Sequence, residues 1–141
     1  MRRAQGRSAP PSPARVRPPA PSEDEALRAL RALFAEASAI ARSLSVPVPR
    51  VTVGFGRLPK GALAKCSSAR SLAGWRHRIV VSRAGFQRLN AAIRLSVALH
   101  ELLHAAAPHD GHRGRWAAWA ARLNGSGLLR YPIRETYPPF T

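Results

Sequence analysis

The 141-residue chain has one cysteine, two lysines and seven acidic residues, and each scarcity excludes something. A lone Cys66 rules out an internal disulfide and a cysteine-based zinc ribbon, and it reads as a small buried hydrophobe. A reducing, cytoplasmic setting is the expectation that follows. No apolar run approaches the ~20 residues of a membrane-spanning helix, and the N-terminus lacks the ~7–15-residue apolar core of a secretory signal. Neither a membrane span nor export is therefore expected. Acids are scarce enough, at 7 against 23 Lys and Arg, to leave a formal charge of +16. Such a surplus attracts polyanions, so non-specific, salt-dependent contact with nucleic acid such as DNA is expected through the basic surface and N-terminal arm. Between residues 37 and 134 the only carboxylate side chains are Glu101 and Asp110, and both fall within one histidine-rich stretch.

At this length one compact domain is expected, with a tail at either end. Residues 1–21 hold six prolines and almost no large apolar groups, the composition of a disordered Pro/Arg-rich basic arm. Ser22 followed by Glu25 is a capping-box signature, and Leu27, Leu30, Phe34, Ala37 and Ala41 continue one apolar helix face to about residue 44. Pro47 and Pro49 end it. "RVTVGFG", "ALAKCSS" and "HRIVVS" read as three strands of a small, mainly antiparallel sheet. Residues 90–107 are apolar on nearly every side, which predicts a helix enclosed by the domain. A last helix over 115–123 carries Trp116, Trp119, Ala120 and Leu123 on one face. The fold class is α+β, with the domain spanning 22–130 and an irregular C-terminal tail over 131–141.

The chemistry sits in "ALHELLHAAAPHDGHRGRW", residues 98–116. His100-Glu101-Leu102-Leu103-His104 is an HExxH sequence on the enclosed helix. Positions i and i+4 share a helix face, so the two imidazoles can bridge one Zn²⁺, while Glu101 lies one step round the helix, within reach of a water there. A random chain of this composition would contain only about 0.006 such matches, which argues against coincidence. Two imidazoles and a carboxylate packed together without a metal would also carry an uncompensated desolvation cost. A catalytic zinc needs a third protein ligand, and spacing alone leaves His109, Asp110, His112 and the distant Glu135 open.

HELLHAAA, a short loop, and then His112-Arg113-Gly114-Arg115-Trp116 opening an amphipathic helix together resemble the SprT-like (Spartan-related) zinc metalloproteases. The resemblance implies a zincin-like minimal metalloprotease fold, with His100, His104 and His112 as zinc ligands and Glu101 as catalytic base. It further implies that Trp116 packs behind the third ligand. A His-Asp pair that follows HExxH in a related group of DNA-repair proteases keeps His109 as the alternative third ligand. Two departures stand out: Arg113 occupies the place where the family often has glycine, displaced here to Gly114, and the four-cysteine ribbon of many members is missing.

The function expected from these readings is zinc-dependent hydrolysis of peptide bonds, with Glu101 as general base, on proteins associated with nucleic acid. The alternative is a basic nucleic-acid-binding module whose zinc is structural; such a site would close all four positions with protein ligands and leave Glu101 without a role.

Overall fold

The first helix, α1 (Glu23–Ser43), begins where the capping box puts it: the Ser22 hydroxyl accepts the Glu25 amide at 3.2 Å, and three acids fill the first turn. The computed structural model describes residues 22–139, so the expected basic arm at 1–21 lies outside the described residues. Leu30, Phe34, Ala37 and Ala41 are the buried stripe of α1. The chain then reverses through Ser45, which adopts a left-handed φ of 63°.

Three strands follow: β1 (Thr52–Phe55), β2 (Ala64–Ser71) and β3 (Gly74–Val81), in the spatial order β1-β3-β2. β2 and β3 form an antiparallel hairpin with Cys66 opposite Ile79, but β1 runs parallel to β3, with Thr52 opposite Arg78. The sheet is therefore mixed, which corrects the expectation of a mainly antiparallel one. Alternating apolar residues mark a strand but not its direction or its neighbour. Residues 57–63 carry the chain past the width of a strand before β2 begins, and β3 fills the gap. At Gly56 a β-carbon would stand 2.6 Å from Val80 Cγ1, so any larger residue would force Val80 to shift where β1 leaves the sheet.

A five-residue helix, α2 (Arg83–Gln87), follows β3 and buries Phe86. A single buried residue carries no periodic signal, which is why pattern reading passes over it. α3 (Ala91–Ala106) is capped by the Asn90 side chain, which accepts the Ile93 amide at 3.0 Å. Leu99, Leu102 and Leu103 are fully buried, as expected of an enclosed helix. α4 (Gly114–Asn124) closes the domain, burying Trp116, Ala120 and Leu123.

The residues after α4 are irregular but tightly bound to the domain. Ile133 is buried and exchanges two hydrogen bonds with the Asn124 side chain, at 2.7 and 3.0 Å. The buried Ser96 donates to the Pro132 carbonyl at 2.8 Å, and its hydroxyl lies 2.6 Å from that of Tyr137. Residues 132–137 thus form a strap across α3. Among the described residues no helix is long and apolar enough to cross a membrane.

Candidate metal centre

α3 presents His100 and His104 on one face, one helical turn apart, and the segment between α3 and α4 turns back to add His112. Their Nε2 atoms converge: 3.2 Å from His100 to His104, 3.1 Å from His104 to His112 and 3.4 Å from His100 to His112. Zn–N bonds of about 2.0–2.1 Å at tetrahedral angles place ligand nitrogens ~3.3–3.4 Å apart, so this triangle has the size of one face of a tetrahedral site. The three histidines lie close enough to hold a metal ion. A proton shared among them satisfies one of the three contacts at a time, whereas a central cation satisfies all three.

The tautomer of His100 follows from its other nitrogen. Nδ1 lies 2.6 Å from the Arg134 carbonyl, which can only accept, so Nδ1 carries the proton and Nε2 offers its lone pair to the cluster. Burial, reinforced by the neighbouring imidazoles, pushes His100 and His104 down to about 4, so both are neutral at neutral pH. Trp116 is buried against all three rings, with centroid separations of 5.1, 5.6 and 4.6 Å to His100, His104 and His112. Its indole N–H donates to the His100 carbonyl at 3.2 Å, which ties α4 to α3 directly beneath the cluster.

Glu101 is buried beside the triad, with a carboxylate oxygen 3.9 Å from His100 Nε2. Burial pushes its carboxyl up to about 7, against the opposing pull of a hydrogen bond from the Cys66 main-chain N–H. Strand β2 thus reaches across to the proposed base through its backbone. Nothing in the identity of Cys66 announces this contact, because every residue but proline carries the same donor.

The other candidates for third ligand lie elsewhere. His109 is exposed at the rim, edge-on to Trp75 at 5.3 Å. Asp110 caps α4, its Oδ2 accepting the Arg115 amide at 2.8 Å. Gly114 has φ +55°, and a β-carbon there would stand 2.9 Å from that same Asp110 oxygen, so the cap and the displaced glycine belong together. Glu135 is 3.9 Å from His112 Nδ1, on the side of the ring away from the cluster.

A cleft of about 630 Å³ opens over the triad, walled on one side by β2 and on the other by Pro108 and His109. Behind β2, Ser68 Oγ lies 2.7 Å from Nδ1 of the buried His77, and Trp75 stacks on that imidazole. His77, which no sequence motif marks, braces the wall of the cleft. No protein-family model, curated protein or solved structure matches this chain.

Proposed function

We propose that this chain is a zinc-dependent metallopeptidase of SprT-like, zincin-like type. The observation that carries the reading is the triangle of Nε2 atoms, sized for one face of tetrahedral zinc and open to a cleft beside a buried carboxylate. His100, His104 and His112 would hold the ion, with the strap carbonyl fixing the tautomer of the first. Bound there, zinc supplies Lewis acidity, polarising a carbonyl and lowering the pKa of a water from ~15.7 towards ~7. Glu101 takes a proton from the attacking water and passes it to the leaving amine. The Cys66 N–H helps hold that carboxylate in place.

A structural zinc would need a fourth protein ligand. His109, Asp110 and Glu135 are each turned to another partner, which favours the open, catalytic reading over the basic-module alternative. The charge of +16 makes proteins bound to nucleic acid the proposed setting.

The test is Glu101→Gln. Cleavage of an unfolded protein such as casein should fall at least about 100-fold while zinc per chain stays unchanged. Full activity in that variant, or a wild-type chain that binds no zinc, overturns the proposal.

A further inference from the structure

The walls of the cleft carry charge of one sign. Lys65 and Arg70 line it, and the only carboxylate among the lining residues is Glu101. Both cations are exposed, and neither side chain has a hydrogen-bond or ion-pair partner among the described residues. Of the acids outside the lining, Asp110 caps α4 and pairs with Arg115, and Glu135 sits 3.9 Å from the outer nitrogen of His112, so neither meets Lys65 or Arg70.

Their placement along β2 is specific. β2 is an edge strand, paired only with β3. The Ser82 amide donates to the Leu63 carbonyl at 2.8 Å, so in this register the odd-numbered residues of β2 pair with β3 and the main-chain groups of Cys66 and Ser68 face the open edge. An extended peptide can therefore add to this edge through main-chain hydrogen bonds, with the bond to be cut beside Cys66 and Glu101. Arg70 lies four residues further along, on the same face, about 13 Å away. Its cross-strand partner is Trp75, 38% exposed and flanked by His109. Guanidinium, indole and imidazole together suit a side chain with an apolar stem and a carboxylate tip.

We propose that the cleft selects acidic peptide segments, reading a Glu or Asp side chain on Arg70 about four residues from the hydrolysed bond. This rests on the metallopeptidase reading for the position of the cut and names the substrate class of that site.

The experiment uses the full zinc-loaded chain and one peptide whose single cleavage point is fixed by mass spectrometry. Glu, Ala or Lys is placed three to five residues to either side of it. At one of these positions kcat/KM should favour Glu over Lys about tenfold at low salt, with the preference shrinking as salt screens it. Arg70→Glu should invert the ratio, each rate being normalised to the Ala peptide. Binding of the same peptides to Glu101→Gln, followed by fluorescence anisotropy, should show the same order of Kd. Equal rates and equal Kd values for Glu and Lys peptides overturn the inference, while zinc-dependent cleavage of the Ala peptide leaves the peptidase reading standing. Failure to cut any peptide, with the Kd preference intact and dependent on Arg70, supports acidic-peptide recognition and sinks the peptidase reading. If Arg70→Glu weakens binding of duplex DNA but leaves peptide preference unchanged, the cation serves nucleic acid and the inference falls.

Discussion

His100 and His112 point their Nε2 atoms at the same spot but are held there by different means. His100 rides on a buried helix, 6% exposed, with its far nitrogen bound to a strap carbonyl at 2.6 Å. His112 stands on a turn between helices, half-buried, and the nearest partner of its far nitrogen is an exposed carboxylate at 3.9 Å. One histidine is placed by a rigid element, the other by the fit of a short loop around Asp110 and Gly114. Two of the proposed ligands are thus held by a rigid helix and the third by a short turn, so damage to the loop should weaken metal binding without unfolding α3.

The largest break in that comparison comes from removing nitrogens. Outer partners of metal ligands typically govern 10–100-fold in affinity, so losing His100, His104 or His112 to alanine should cost more than about 100-fold. Zinc per chain, measured after dialysis against a mild chelator, should fall from near one to near zero in each variant and stay near one in His109→Ala. Gly114→Ala comes next: a left-handed φ costs a β-carbon roughly 1–2 kcal/mol, and the contact with Asp110 adds to it. Thermal melts should show that loss, and zinc titration should show weaker binding, with HExxH untouched. Tyr137→Phe loosens the rigid side instead. It removes the hydrogen bond to Ser96, worth about 1 kcal/mol, together with a longer one from the Arg134 amide, and zinc affinity should drop up to about tenfold as the strap relaxes around His100. Glu135→Gln should do least, under about threefold on zinc affinity, because that carboxylate is 72% exposed and screened by solvent. A larger effect would show that the loop side depends on an outer partner as much as the helix side does.

The same contrast explains which parts were legible in the sequence. The HExxH pair, the Ser22 cap and the buried faces of α1, α3 and α4 are local patterns, written within a turn or two of helix. Placing His112 in the cluster needed a resemblance, because four groups had compatible spacing and only the Asp110–Gly114 turn decides among them. The support for the site comes from main-chain atoms far away in sequence. Arg134 reaches His100 across 34 positions with its carbonyl, and Cys66 reaches Glu101 with its N–H. Neither contact leaves a mark in residue identity. The parallel pairing of β1 with β3 was hidden for a related reason, since direction is set by the connection and not by the strand.

Trp116 gives the cluster an optical voice. Of the chain's three tryptophans, it alone touches all three imidazoles, whereas Trp75 faces His77 and His109 on the other side of the cleft. If the three imidazoles hold a metal as proposed, an indole this close should respond to it: a closed-shell ion should alter its emission, and a paramagnetic one such as Co²⁺ should quench it. Occupancy of the proposed centre should then be readable in the unlabelled chain as the part of its emission that is lost when Trp116 is replaced by Phe.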